Sequence, residues 1–254
     1  MRTLSRNPRI RSFGLTFGGM ITAALIALPL NAAAPSQKDK STPATLRWAE
    51  GQPGCTFSRD NDGKYRYALW TDDYGVIVAV DSQELQLVHK RSHKFFGVQL
   101  TVRYRGKDKL FVDARRATLQ FIKHEKLVQS ALDPEVFAAK IQTAADDVEH
   151  ETEREIKKHP ERREKREQFV QDYQKEAIEL IDFVTQRTLT AVELDSARSQ
   201  ADGWLLFSTD NKWIGDWKRP EEFLLRIPVG HRLLEFPFAL PPHQGDLILR
   251  QRPK

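Results

Sequence analysis

The sequence is poor in sulfur-containing residues. It has one cysteine, Cys55, and two methionines, Met1 and Met20. A single cysteine cannot form an internal disulfide, and a lone thiol is more often a small buried apolar side chain than a reactive group. Both methionines fall within the first 20 residues, so the rest of the chain lacks the Cys and Met ligands that a carrier of Cu(I) needs.

The sequence also lacks the short motifs of common enzymes. It contains no G-x-S-x-G, no phosphate-binding P-loop and no G-x-G-x-x-G. His150-Glu151 begins like a zinc-protease helix, but Arg154 stands where the second histidine is needed. The run 60–63 (DNDG) begins like a calcium loop, but its glycine comes too early and the distal glutamate is missing. We therefore predict no metal site and no cofactor.

An excess of charge of one sign is missing from most of the chain. The sequence has 40 basic and 35 acidic residues, but residues 1–34 contain four of the basic residues and no acidic one. The remaining chain has 36 basic against 35 acidic residues. This balance gives no support to nucleic-acid binding.

The first 34 residues have the pattern of an export signal. A basic segment with Arg2, Arg6, Arg9 and Arg11 precedes an uncharged run over 13–34 that ends in three alanines. This pattern predicts a Sec-type signal peptide over 1–34, a polar linker over 35–43, and a periplasmic or secreted protein. The alternative is an uncleaved membrane anchor with the body outside the cytoplasm, because 22 uncharged residues can span a bilayer.

The stretch 131–188 predicts two helices of matched length. Asp133 suits the N-cap and Pro134 the first helical position. Apolar residues then recur at helical spacing on both sides of a break at His159-Pro160. In the interval 149–168 between the two stripes, seven acidic and seven basic residues make up most of the chain. The stripes are Phe137, Ile141, Ala144 and Val148 before the break, and Val170, Tyr173, Ala177, Ile181 and Val184 after it.

The two stripes mirror each other about the break. Ile141 with Ala177, and Phe137 with Ile181, have residue numbers with the same sum, 318, as facing residues of an antiparallel hairpin would. We therefore predict a helical hairpin with an apolar base and a charged outer half. The alternative is one long helix kinked at Pro160.

Strand patterns lie on both sides of this stretch. The residues from Phe96 to Tyr104 alternate strictly between large apolar and smaller or polar side chains, and Leu234 to Leu240 alternate in the same way. Pro237 in the second run indicates an edge strand. The sequence predicts an α+β protein: an immunoglobulin-like antiparallel β-sandwich, built from 44–126 and 200–252, interrupted by the long helical hairpin.

Four phrases carry a resemblance to known proteins. The runs WTDDYGVIVAVDSQELQ, VRYRGKDKL, KWIGDWK and EFPFALPP resemble those of a family of uncharacterised exported bacterial proteins of similar length. The strictly alternating strand, its turn and the next strand are similar to immunoglobulin-like envelope domains. The first resemblance implies export but no activity, and the second implies a fold but no mechanism.

Two groups of residues are candidates for binding a partner. His89 and His93 are spaced like two metal ligands, but Lys90, Arg91 and Lys94 surround them and oppose a cation. These three basic residues belong to a stretch, 86–126, with a net charge of +8, which indicates either an ordinary solvated surface or a site for an anionic envelope polymer. Trp213 and Trp217 lie in a loop, where they form a binding platform if exposed and a hydrophobic plug if buried.

These observations favour a non-catalytic extracytoplasmic binding or interaction protein of the bacterial cell envelope. Its partner would be an envelope protein or an anionic polymer, and it would meet the membrane only through its N-terminal segment. Two alternatives stay open. One is a hydrolase of a polymer, with a carboxylate pair drawn from Asp72, Asp73, Glu84 and Asp210. The other is a carrier of a small ligand, which would need an enclosed apolar pocket.

Overall fold

A computed structural model describes residues 44–84, 87–88, 91–124, 127–210 and 221–240. This part of the chain is mixed α+β, with two sheets of mostly antiparallel strands and one long helical hairpin, as the sequence predicted. The predicted signal peptide and linker, 1–43, lie outside the described residues. None of the described helices is long and apolar enough to cross a membrane.

Twelve strands and two long helices make up the described part of the chain. The helices are α1 (Pro134–Lys158) and α2 (Arg163–Arg187). Single 3-10 turns occur at Ala114–Arg116, Ile122–His124 and Pro160–Arg162. The strands are β1 (Ala44–Arg47), β2 (Cys55–Arg59), β3 (Lys64–Trp70), β4 (Tyr74–Asp81), β5 (Phe95–Tyr104), β6 (Leu110–Asp113), β7 (Thr118–Phe121), β8 (Val128–Ser130), β9 (Ala191–Leu194), β10 (Gln200–Ser208), β11 (Glu221–Val229) and β12 (Arg232–Leu240).

The five-stranded sheet has the order β10-β5-β4-β3-β2, and every pair in it is antiparallel. A tight turn over 60–63 joins β2 to β3. Gly63 has a φ of 79°, a conformation that other residues adopt at a steric cost. β5 comes from the chain before the hairpin and β10 from the chain after it, so the two β-rich segments share this sheet.

The seven-stranded sheet contains one parallel pair. Its main path is β1-β12-β11-β6-β9, and β7 joins β11 to β8. β1 pairs parallel to the first half of β12, from Arg232 to Glu235. Pro237 predicted that its strand lies at a sheet edge. This prediction is wrong for the first half of β12, because β1 and β11 pair with that half on its two sides. Pro237 itself lies beyond the β1 pairing and faces Leu224 of β11, so its missing N–H leaves that ladder with β1 intact.

A single core lies between the two sheets. The alternation in β5 turns Phe96, Val98 and Leu100 inward, and all three are fully buried. The ring of Phe96 stacks on Phe223 of β11, with 5.1 Å between ring centroids. Tyr67 of β3 meets Phe238 of β12 in a tilted contact, with 5.8 Å between ring centroids. The arrangement fits a β-sandwich in which both sheets bury their inner faces against each other.

The two long helices form the predicted hairpin. The Asp133 carboxylate accepts hydrogen bonds from the N–H groups of Glu135 and Val136 and so caps α1. α1 and α2 have 25 residues each, about 37 Å at 1.5 Å per residue. His159 and the 3-10 turn after it reverse the chain, so the single kinked helix is excluded.

The observed register of the hairpin differs from the predicted one. Arg166 forms an ion pair with Glu155, and Gln174 Nε2 donates to Glu149 Oε2 at 3.0 Å. The residue numbers of these pairs sum to 321 and 323, not 318, because the reversal is centred on the 3-10 turn at 160–162 rather than on His159. The buried face of α1 accordingly passes through Ala145 and not through Ala144.

The base of the hairpin packs on the outer face of the five-stranded sheet. Ile141 of α1 and Val184 of α2 are fully buried there, against Phe95 of β5 and Leu206 of β10. The segments that flank the hairpin bind the free edge of β10. The N–H of Leu132 donates to the Leu206 carbonyl at 2.7 Å, and the N–H of Leu189 donates to the Trp204 carbonyl at 2.9 Å. The hairpin is therefore fixed at its base on both sides.

Shortening Ile141 to alanine should destabilise the protein by about 3 kcal/mol, because it leaves a cavity between the hairpin base and the sheet. The matched change Ile178→Ala, at a position 59% exposed on α2, should cost less than about 0.5 kcal/mol. Urea unfolding followed by circular dichroism would measure both. Equal effects of the two changes would contradict this packing of the base.

Candidate functional site

The outer face of the five-stranded sheet is only partly covered by the hairpin. The remaining part forms an open trough of about 610 Å³, which is in the size range of ligand sites. Twelve residues from all five strands and the β2–β3 turn line it: Thr56, Ser58, Asp60, Arg66, Ala68, Trp70, Ile77, Gln99, Thr101, Arg103, Gln200 and Asp202. We call this surface the sheet trough.

The strand register explains why this surface is concave. One row across the sheet consists of Thr56, Ala68, Ile77, Thr101 and Asp202, each opposite the next. The middle of the row carries a buried alanine and a partly buried isoleucine, whereas the outer positions carry exposed polar side chains. A low apolar floor between polar walls is the result.

An indole ring lies flat at one end of the sheet trough. Trp70 of β3 pairs with Gly75 of β4. A Cβ atom placed on Gly75 would lie 2.1 Å from Cε3 of Trp70, so the ring occupies the space that any other side chain would take. Glycine at 75 therefore allows the ring to lie across the sheet instead of standing up from it. The guanidinium of Arg105 is 5.8 Å from the centre of the indole.

The charged groups of the trough fall into two sets. Arg66 binds Asp60 at 2.5 Å and Asp62 at 2.7 Å, so it is held within the β2–β3 hairpin. The backbone N–H of Lys64 donates to Asp62 and holds the pKa of that carboxyl below its usual value, with the Arg66 charge adding to the effect. Arg103 and Arg105 differ from Arg66, because neither forms an ion pair within the described part of the chain.

The carboxylates of the trough are far apart. Asp60 follows β2 at one side of the sheet and Asp202 lies on β10 at the other, four strand spacings or about 19 Å away. Glycoside hydrolysis needs two carboxyl groups about 5–10 Å apart. The trough thus offers hydrogen-bonding groups and a hydrophobic floor, but no carboxylate pair of hydrolytic geometry.

The four carboxylates proposed for a hydrolase lie in three separate places. Asp72 and Asp73 lie in the β3–β4 turn. Glu84 is 1% exposed and accepts hydrogen bonds from Arg91 and from the N–H of Gly97. Asp210 lies near the N-terminus of α1, in a different cavity. Glu84 is already occupied by hydrogen bonds and is a structural group.

Of the basic and aromatic residues predicted to bind a partner, some lie outside the described residues and one has a structural role. Lys90, Trp213 and Trp217, with His89, lie outside the described residues. Arg91 is a structural residue: its two Nη atoms bind the Glu84 carboxylate at 2.6 and 3.1 Å, and Nη1 also donates to the Phe95 carbonyl at 2.7 Å. A guanidinium with these partners has little capacity left for an anionic ligand.

Lys94 is exposed beside a smaller cavity of about 260 Å³ at the base of the hairpin. His93, Lys140, Asp133 and Asp210 share this cavity. Asp133 already caps the helix that starts here, and the mixture of charges favours neither an anion nor a cation. This cavity is therefore a weaker candidate than the sheet trough.

The sequence analysis missed the sheet trough. Its central residues Gln99, Thr101 and Arg103 are the polar positions of the strictly alternating strand, which the analysis used only to find the core face. A polar outward face of this kind was visible in the sequence. Its neighbours on four other strands were not, because they depend on strand order and register.

Replacing Arg91 with alanine should destabilise the protein by about 3 kcal/mol, because the buried Glu84 carboxylate loses its charged partner. Lys94→Ala, three residues away and exposed, should change the free energy of unfolding by less than about 0.5 kcal/mol. Chemical denaturation of both variants measures the difference. An Arg91→Ala chain as stable as the Lys94→Ala chain would contradict the structural role.

Acidification should cost the protein stability through His93. Burial, with the nearby charge of Lys140, lowers the pKa of His93 below its ordinary value of 6.5. The unfolded chain therefore takes up the proton more readily, so this contribution is complete above pH 6.5 and is lost as the pH falls below it. The drop in unfolding free energy between pH 7 and 5 should be smaller for His93→Gln. A drop of the same size in both chains would contradict this assignment.

Comparison with known proteins gives no relative. Neither protein-family models, nor curated proteins, nor solved structures give a match to this chain. The function must therefore be inferred from the geometry of the sheet trough.

Proposed function

We propose that the protein is a non-catalytic binding protein of the bacterial cell envelope, exported by its N-terminal segment, and that it holds an envelope polymer in the sheet trough. The observation that carries the proposal is the trough itself. It is an open cavity with a volume of about 610 Å³, and it combines an indole ring, an apolar floor and polar walls. An open surface suits a long chain, which enters and leaves at the ends, better than a small molecule.

Two features of the described residues favour binding over the alternatives. The wide separation of Asp60 and Asp202 is unsuited to hydrolysis of a sugar chain. The interior between the sheets is filled by fully buried phenylalanines, among them Phe96, Phe207 and Phe236. A carrier of a small apolar ligand would need space where these rings lie.

An immunoglobulin-like relationship is a second part of the proposal. Two mostly antiparallel sheets around one core support it. An immunoglobulin-like topology would have to include the parallel β1–β12 pair and a sheet in which β2, β3, β4 and β5 are neighbours in chain order. The proposal of envelope binding does not depend on this relationship, because fold alone does not specify function.

The hairpin provides a second candidate function, as an arm that captures a partner protein. Its apolar cluster with the sheet includes Ala145 on α1 and Tyr173 on α2, and the outer half, 149–168, is charged and mostly exposed. Phe169, at the edge of this half, is 49% exposed. A solvated arm fixed only at its base is suited to contact with a partner.

Co-sedimentation with purified cell-wall sacculi separates the two candidates. The chain 35–254 should sediment with sacculi, and Thr101→Trp, which fills the centre of the trough, should reduce the bound fraction strongly. Thr118→Trp, an outward position on β7 of the other sheet, is the matched control and should bind normally. A chain with 149–168 replaced by a short Gly-Ser linker should also bind normally.

Loss of binding in the linker chain, with Thr101→Trp unaffected, would place the polymer site on the hairpin instead of the trough. Failure of the unaltered chain to sediment would contradict binding of an envelope polymer. Thermal unfolding of each variant shows whether it is folded before its binding is compared.

A further inference from the structure

The end of the sheet trough at Trp70 has a distinct composition. The register places Trp70, Gly75, Arg103 and Gln200 in one row across four strands. Arg105 follows Arg103 by two residues, at about 6.6 Å along the strand direction, and its guanidinium approaches the Trp70 ring. The Trp70 ring thus has the Arg105 guanidinium beside it, and Arg103 lies two strands away in the same row. Neither arginine has an acidic partner in the described residues.

We propose that the sheet trough recognises a polysaccharide with isolated carboxylate groups, in which a sugar ring lies on Trp70 and a ring carboxylate binds Arg103. This inference rests on the proposed envelope-binding function and names its ligand class. The guanidinium of Arg103 can bind a carboxylate through two parallel hydrogen bonds. The indole offers an apolar face to the C–H side of a sugar.

The polar groups of the trough suit hydroxyl groups of a sugar chain. Thr101 and Gln200 can each donate and accept hydrogen bonds, and Asp202 accepts them. Gln99 can donate through its amide NH2 group, while its Oε1 accepts from Lys64 Nζ at 3.4 Å. A sugar hydroxyl also does both, so each of these side chains can pair with it.

The charge balance of the trough favours sparse acidic groups on the ligand. Two cations, Arg66 and Arg103, and two carboxylates, Asp60 and Asp202, line the trough, and Arg105 adds one further cation beside Trp70. Asp202 lies diagonally opposite Arg103 across the β5–β10 pair, about 7–8 Å away. A densely sulfated or phosphorylated polymer would bring several negative charges per sugar ring against Asp202, whereas a polymer with at most one carboxylate per ring can place a single carboxylate on Arg103.

The test uses two probes: trigalacturonate and its fully methyl-esterified form, in which each charged carboxylate is replaced by a neutral methyl ester. Calorimetry with the chain 35–254 should show about tenfold or tighter binding of the acid than of the ester, as a charge-assisted pair with Arg103 requires. Arg103→Gln should remove this preference and leave the ester's affinity unchanged. Arg116→Gln, an exposed arginine beside the other sheet, is the matched control and should keep the preference.

The outcomes separate this inference from the function on which it rests. Equal binding of acid and ester would overturn the carboxylate inference, while sacculus binding that is lost in Thr101→Trp would still support the trough. Equal losses in Arg103→Gln and Arg116→Gln would indicate general charge attraction and overturn the assignment to Arg103. Tighter binding of a persulfated trisaccharide than of trigalacturonate would overturn the sparse-charge argument.

A second variant tests the aromatic part of the site. Trp70→Leu should weaken the acid and the ester by the same factor, because both present the same ring face to the indole. A circular-dichroism spectrum and unfolding midpoint like those of the unaltered chain show that the variant is folded. Unchanged affinity for both probes in such a folded variant would overturn the role of Trp70.

Discussion

Strand β5 contributes to the structure with both of its faces, the inner one to the core and the outer one to the hairpin seat and the sheet trough. The rest of the structure depends on this strand. Its inward residues, such as Phe96 and Leu100, close the core against the opposite sheet. Its outward residues divide into two parts. Phe95 supports the hairpin base, and Gln99, Thr101 and Arg103 line the sheet trough. Because side chains alternate across a strand, a register shift of one residue would exchange these roles and lose core, hairpin seat and trough together.

The hairpin covers part of the outer face of the five-stranded sheet, and its base forms one border of the trough. Its flanking segments take the backbone hydrogen bonds of the β10 edge, through Leu132 and Leu189, so that edge is not free to pair with another chain. Its base buries the apolar end of the outer face around Phe95 and Leu206. The polar remainder of the face is left open beside a rigid border, which is the usual setting of a binding surface on a stable scaffold.

Ion pairing decides which of the many basic residues are available to a ligand. The stretch 86–126 carries a net charge of +8, but Arg91 is held by the buried Glu84. Arg66, earlier in the chain, is held by Asp60 and Asp62. Arg103 and Arg105 have no such partner in the described part of the chain. The Arg105 guanidinium lies beside the Trp70 ring, and Arg103 lines the trough together with Trp70. A charge count along the sequence could not separate these groups, because the partners of each arginine depend on the folded arrangement.

The sequence by itself determined the elements whose signals are local. Helical periodicity and the break at His159-Pro160 specified two helices of matched length, and strict alternation specified β5 and its two faces, because these patterns come from geometry within one element. The reversal of the chain between the helices was settled by the structure, since a kinked helix fits the same pattern. Only the tertiary structure decided the parallel pairing of β1 with β12, the register of the hairpin, and the trough. Each of these joins residues far apart in the chain, such as Trp70 and Gln200, and their register is set by side-chain packing between elements rather than by any local pattern.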